Sequence, residues 1–259
     1  MTIKVDPEWW KTLFDEVYLL TDARSVCDHE LTGREVDVIC DLLPIRTEDR
    51  ILDLCGGHGR HSFALCGRGY KNCTVLDYSS YLINRGKECA SNSGHFIGFV
   101  QGDVRSMGFG SDAFHHVLIM GNSLGYILDP DADRSILTEA YRILRRRGWL
   151  LIDVADGASA RAHFNPSAWH EIGPDIVVCR EREMNGDTIR SREVVISKTR
   201  GLIHDRTYSI RLYDPETLAA LTGGASFTEI KIHTEFAPRK DGGDHGFMNH
   251  RMILTAQKP

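Results

Sequence analysis

The chain lacks any apolar run long enough to cross a bilayer, which excludes a helical membrane span. Its first residues, Met1-Thr2-Ile3-Lys4-Val5-Asp6, lack the basic-then-apolar order of a secretion signal, so a cytoplasmic location is expected. Paired cysteines are missing too. The seven cysteines (27, 40, 55, 66, 73, 89 and 179) show no C-x-x-C spacing, and an odd count without metal spacing reads as reduced thiols, several packed as small apolar residues. No regular ligand spacing argues for a metal. A surplus of positive charge is also absent: 31 basic residues face 36 acidic ones, a formal net charge of −5. Overall charge therefore draws the chain to no phosphate backbone, and neither a nucleic acid nor a membrane is expected as partner. Internal repeats and low-complexity segments do not occur. What remains, 259 residues of which 42% are hydrophobic and 26% charged, suits one large α/β domain or a core with a modest cap.

The most informative stretch present is Ile51-Leu52-Asp53-Leu54-Cys55-Gly56-Gly57-His58-Gly59-Arg60. An apolar strand carrying an acid runs into a turn of glycines, and a helix starts near Arg60. Glycine is needed there because the backbone must bend tightly and approach a ligand without intervening side chains. The helix N-terminus then turns its free amides toward the crevice. A second strand, Cys73-Thr74-Val75-Leu76, ends in Asp77, and Asp103 follows a third strand at 96–100. Three acids at successive strand ends describe a nucleoside pocket, since a carboxylate so placed accepts two hydrogen bonds from vicinal hydroxyls.

Periodicity orders the rest. Trp10, Leu13, Phe14, Val17 and Tyr18 recur at helical spacing, and Thr32-x-x-Glu35 reads as a capping box opening a second helix that Pro44 stops. Strands at 51–55, 73–77, 96–100, 114–120 and 149–154 alternate with helices at 59–68, 79–91 and 132–146, the last ending in Arg145-Arg146-Arg147-Gly148. Such alternation implies a parallel, doubly wound sheet. After Asp156 the pattern turns β-rich: 175–183 and 187–199 meet at Asn185-Gly186, a strong hairpin signal, and Tyr208, Ile210 and Leu212 alternate on one face. A helix from Asp214-Pro215-Glu216 and strands 227–235 and 251–257 close the chain, with a glycine-rich loop at 236–250 between them. The expected division is a helical lid at 1–44, a core at 45–157, an antiparallel β cap at 158–213 and a closing helix with two strands at 214–259.

This series of motifs resembles the class I S-adenosylmethionine-dependent methyltransferase family. Leu52–Arg60 looks like the family's first motif, Asp77 matches the acid that grips the ribose, and Gly102-Asp103-Val104 matches the adenine-contacting turn. Leu118-Ile119-Met120-Gly121-Asn122-Ser123 occupies the fourth-strand end, where donor and acceptor meet. One departure is Cys55, where the usual motif has glycine. The resemblance implies an α/β fold with a doubly wound, mostly parallel seven-stranded sheet, N-terminal lid helices and a small antiparallel insert after the fifth strand. The implied cofactor is S-adenosyl-L-methionine, released as S-adenosyl-L-homocysteine. The residues expected to hold it are Tyr18, Asp53, Cys55, Gly56, Gly57, Gly59, Asp77, Tyr78, Asp103, Val104, Met120 and Gly121.

The acceptor is narrowed by what the family's branches require. An Asn/Asp-Pro-Pro-Tyr/Phe motif at the fourth-strand end, the paired glutamates of arginine methylation and the magnesium acids of catechol enzymes are all missing. The insert resembles the caps of small-molecule enzymes, so the expected partner is a small acceptor methylated on nitrogen or oxygen. Tyr126 and His245 are candidate catalytic residues, and Asn122, Tyr126, His245 and His250 candidate substrate contacts. A homodimer through edge strands of the insert is a further expectation. Two other readings stand beside this one: a cofactor-holding partner subunit that transfers nothing, and an NAD-dependent oxidoreductase suggested by Gly57-x-Gly59-x-x-Ser62.

Overall fold

A computed structural model describes residues 2–237, 248 and 250–259. The main sheet has seven strands in the order β10-β11-β5-β4-β1-β2-β3. These are β1 (Arg50–Leu54), β2 (Asn72–Asp77), β3 (Gly98–Gln101), β4 (Phe114–Ile119), β5 (Leu144–Ala155), β10 (Thr228–Phe236) and β11 (Arg251–Gln257). All pair in parallel except around β11, which runs antiparallel to both β5 and β10. Chain order reverses between β1 and β4, which opens a crevice at their carboxyl ends.

Strand alternation sorts the core into two layers. Leu52, Leu54, Val117, Ile119, Leu150 and Ile152 pack with α6 (Ala132–Ile143) and α8 (Pro215–Gly224). Ile51, Leu118, Met120, Leu151 and Ile253 pack with α3 (His29–Leu42) and α4 (Arg60–Gly67). Helix α5 (Ser80–Ser93) begins at Ser79, whose hydroxyl accepts from the Leu82 amide, a regular N-cap. A second sheet, in the order β6-β7-β8-β9, follows α7 (Gly157–Ala162). It consists of β6 (Ser167–Ile172), β7 (Ile176–Asn185), β8 (Thr188–Ser197) and β9 (Gly201–Arg211), with the hairpin at Asn185-Gly186 where expected.

Local departures from the expected elements have physical causes. The N-terminal helix is broken into a single turn at Trp9–Lys11 and then α1 (Glu16–Thr21) and α2 (Ala23–Val26), because the Asp15 side chain accepts from the amides of Val17 and Tyr18 and restarts the helix. Helix α3 begins at His29, capped by Asp28 rather than Thr32, so Thr32 and Glu35 lie inside it and their side chains turn to other work. Helix α6 stops at Ile143 and the three arginines run in β5. Gly148 is not a helix stop there: a Cβ would come 2.9 Å from the His115 carbonyl of neighbouring β4. Strand β6 carries no clean apolar alternation in sequence and was not expected.

The N-terminal segment is tied to the second sheet. Arg180 of β7 reaches Asp22, Arg206 of β9 meets Asp15 and the Thr12 carbonyl, and Val17 packs on Val178 and Val195. It is also tied to the core, where Ser79 donates to the Phe14 carbonyl at 2.6 Å.

Candidate active site

At the carboxyl end of β1 the chain turns through Cys55 and Gly57, both left-handed with φ of 58° and 57°. Gly56 admits no side chain, since a Cβ would sit 2.6 Å from the Asp53 carboxyl carbon. Asp53 is fully buried; one oxygen accepts from the Ser62 hydroxyl at 3.0 Å and the other has no hydrogen bond among the described residues. Asp77, closing β2, accepts from the Gly57 amide on one oxygen and the Ser79 amide on the other, each at 2.8 Å. Burial pushes its carboxyl up to about 6 despite those amides.

These groups line a cavity of about 230 Å³ between the crevice, the N-terminal segment and the second sheet. Of the residues expected to hold the cofactor, Tyr18, Asp53, Cys55, Gly56, Gly57, Asp77, Tyr78, Val104, Met120 and Gly121 line it, and so does Tyr126. Burial raises the phenols of Tyr18 and Tyr126, keeping both protonated.

Others fall elsewhere. Gly59 packs against Val75 and Phe99, and Asp103 is held by Arg105 at 2.6 Å, whose guanidinium lies 5.2 Å over Trp10. Neither Gly59 nor Asp103 lines the cavity; the Asp103–Arg105 pair packs on Trp10, which does. Asn122 is buried with φ 63°, its side-chain oxygen accepting from the Ala155 amide at 2.9 Å. It staples β5 to the fourth-strand turn and does not line the cavity. His250 is exposed against His163, also outside the lining. His245 lies outside the described residues.

Further lining residues come from the expected helical lid, the first turn after the glycines and the second sheet. Trp9 and Phe14 join Tyr126 in an aromatic wall, with Trp9 5.4 Å from Tyr126 and Phe14 stacked on it at 5.7 Å. From the second sheet come Glu193, His204, Tyr208 and Ile210. Alternation already placed Tyr208, Ile210 and Leu212 on one face; two steps further back the same face carries Arg206 and His204. On the opposite side Arg251, Glu35, Arg60 and His61 form a buried network, with Arg251 2.5 Å from Glu35 and 2.8 Å from Asp153. His58 also lines the cavity, and burial, then Arg60, brings it down to about 4, so it stays neutral.

With this geometry in place, the family described as a methyltransferase domain matches residues 51–148, the span from β1 into β5. A ubiquinone/menaquinone biosynthesis C-methyltransferase of Ruegeria sp. (strain TM1040) is 30% identical over 137 residues, 52% of each chain, so this chain spans about half the length of that relative. A putative methyltransferase of Bacillus subtilis (strain 168), YqeM, is 28% identical over 81% of this chain and 84% of its own length. Among solved structures, a Burkholderia thailandensis 1,6-didemethyltoxoflavin-N1-methyltransferase, crystallised with 1,6-didemethyltoxoflavin and S-adenosylhomocysteine, has the same fold. It superposes with a TM-score of 0.61 at 21% identity, over all of this chain and 92% of that one.

Proposed function

We propose that this chain, whose residues 51–148 match a methyltransferase-domain family, is a class I enzyme that moves a methyl group from S-adenosyl-L-methionine to a nitrogen or oxygen of a small metabolite. The observation that carries this reading is the Asp77 carboxylate, fixed by two backbone amides beside bare glycine backbone at the cavity edge. Each oxygen gives one lone pair to an amide and keeps another for a sugar hydroxyl. The cradle suits an adenosyl donor: Gly56 and Gly57 leave a floor without side chains, and Asp53 offers an unpartnered buried oxygen. When bound, the donor supplies an electrophilic methyl group and a leaving group that departs as a neutral thioether.

The protein's own task is then placement and dryness. Asp77 and the Gly56-Gly57 turn hold the sugar end, Tyr78 and Val104 flank the base, and Met120 and Gly121 carry the methionine portion toward the acceptor. Tyr18 and Tyr126 close that junction with Trp9 and Phe14. In this reading residues 1–44 are the lid, 45–157 the donor-binding core, 158–213 the roof over the acceptor and 214–259 the closing part of the core. A cavity walled by the insert favours a small acceptor over a polymer. The toxoflavin-precursor enzyme, whose fold this chain shares, holds a small molecule of its own. We place the protein in the cytoplasm; no helix among the described residues is long and apolar enough to cross a membrane. A second copy would pair along β6, one of the two edge strands of the insert, where Trp169 is exposed, and sedimentation reads that directly.

Calorimetry with S-adenosyl-L-methionine and S-adenosyl-L-homocysteine tests the donor site. Incubation of the protein with labelled donor and a metabolite extract, followed by mass identification of the methylated species, tests the acceptor. Absence of heat with both nucleosides overturns the donor reading. Label appearing only in protein or nucleic acid overturns the small acceptor, and label on carbon, as in the C-methyltransferase relative's name, corrects the acceptor atom.

A further inference from the structure

Strands β7, β8 and β9 bring three ionisable side chains onto the face that looks at the cavity. Arg180 stands directly opposite Glu193 across β7 and β8, and His204 lies two residues along β9 from Glu193's own partner, Arg206. Arg180 Nε donates to Glu193 Oε2 at 2.6 Å, while His204 Nε2 is 3.0 Å from Glu193 Oε1. Burial opposes the Glu193 charge, but the His204 hydrogen bond and Arg180 outweigh it and hold the carboxyl below its ordinary range. An ionised carboxylate only accepts, so His204 carries its hydrogen on Nε2 and its lone pair on Nδ1. That Nδ1 is buried and has no hydrogen-bond partner among the described residues. The imidazole is 8% exposed and lines the cavity beside Glu193 and Tyr208. A buried lone pair facing no donor is a costly arrangement, and in a residue of the cavity wall it offers a ligand's donor a place to bind.

We propose that His204 is the catalytic base of the methyl transfer, with Glu193 and Arg180 positioning it, and that the acceptor therefore bears a hydrogen on the atom that is methylated. This rests on the methyltransferase reading above and deepens it. In the step, the acceptor's O–H or N–H gives its proton to Nδ1 of His204. The acceptor's electron pair bonds to the methyl carbon, and the carbon–sulfur pair passes to sulfur. Positive charge leaves the sulfonium and arrives on the imidazolium, where Glu193 faces it from the Nε2 side. Neither other histidine of the lining serves as well. His58 has a pKa of only about 4, and His61 shares Glu35 with two arginines. The charged groups that bear on His204 are Glu193, bonded at its Nε2, and Asp205, its neighbour on β9, with Arg180 and Asp22 beyond Glu193.

The test has an arm that needs no turnover. In donor-free protein labelled with ¹⁵N-histidine, the His204 imidazole, identified as the signal that His204→Asn removes, is expected with hydrogen on Nε2 and none on Nδ1, and Glu193→Gln mixes its tautomers. With the acceptor found by mass identification, His204→Asn lowers kcat by about 100-fold or more while KM stays within about threefold. The same variant erases the rising limb of the kcat profile taken at saturating donor, and Glu193→Gln moves that limb to lower pH with a loss of about tenfold. His204→Gln repeats the measurement should the asparagine variant fold poorly. Donor binding by calorimetry stays within about threefold in all variants, whereas failure of the methyltransferase reading itself is seen as no donor heat in the parent. An imidazole protonated at Nδ1, a His204 variant with parental kcat and pH profile, a donor-binding parent that turns over no acceptor, or a product methylated on carbon each overturns the proposal.

Discussion

Arg251 and Arg180 each bridge two carboxylates, one of which also holds a histidine, yet their surroundings differ. Arg251 joins Glu35 to Asp153, and His61 lies 3.0 Å from Glu35. Its side chain and both acids are at most 2% exposed, and every partner sits on the main sheet or on helices packed against it. Arg180 joins Glu193 to Asp22, with His204 at 3.0 Å, but Asp22 is 35% exposed and belongs to the N-terminal segment. One network ties α3, α4, β5 and β11 into a scaffold. The other spans two elements added to that scaffold and leaves the buried Nδ1 of a cavity-lining histidine without a hydrogen-bond partner among the described residues. The same chemistry thus secures the fold in one place and, in our reading, serves the acceptor in the other.

The sharpest way to break this contrast is Glu35→Ala. It leaves Arg60 without its acid and Arg251 with Asp153 alone, and a loss of about 3–5 kcal/mol is expected in urea unfolding. Burial would raise the Glu35 carboxyl, but Arg251, His61 and Arg60 hold it well below the ordinary range. Its stabilisation is therefore present above the ordinary glutamate pKa of about 4.3 and fades as pH falls through the lower folded value. A loss under about 1 kcal/mol would remove the scaffold role.

Next in size is Asp77→Asn, expected to weaken donor binding by about 30-fold or more in calorimetry with melting little changed. The sign of its pH dependence is opposite to Glu35. With a folded pKa of about 6, Asp77 favours the donor-free fold at low pH, a contribution lost as pH rises through about 6. Sugar hydroxyls favour the ionised form, so donor affinity should climb between about pH 5 and about pH 7, and the asparagine variant should be flat.

Arg180→Met should cost about 1–2 kcal/mol, less than Glu35→Ala, because Asp22 can take water in its place. Equal losses in the two variants would erase the distinction between the networks. The smallest effect is at Cys55, whose left-handed φ of 58° strains any side chain. Cys55→Gly should raise stability by up to about 1 kcal/mol in thermal melts, and a clear loss would mean that the thiol's packing outweighs the strain.

Much of the scaffold was legible. Alternation gave the strands, the glycine turn gave the β1–α4 bend, and Asp77 was placed by position alone. The Asn185-Gly186 hairpin needed only its turn residues. What misled was local chemistry with a distant owner: Thr32-x-x-Glu35 has the spacing of a capping box, but Glu35 serves an arginine 216 residues away. The run Trp10–Tyr18 has helical spacing, but Asp15 interrupts it. Asn122 sits at the right strand end, yet a backbone amide of β5 claims its oxygen. His250 is expected from sequence as a substrate contact and lies outside the lining, whereas nothing in the sequence points to His204.

Periods of two and 3.6 residues, and glycines where a Cβ cannot fit, are properties of neighbouring residues, so the chain alone determined the layers and the donor-side turn. Which imidazole meets the cavity, and which arginine neutralises which acid, depends on pairing among strands and on where the first two dozen residues come to rest. Such contacts join residues that are remote in sequence and leave no local pattern. Only the packed structure decided them, because burial and a nearby counter-charge exist only after the segments have met.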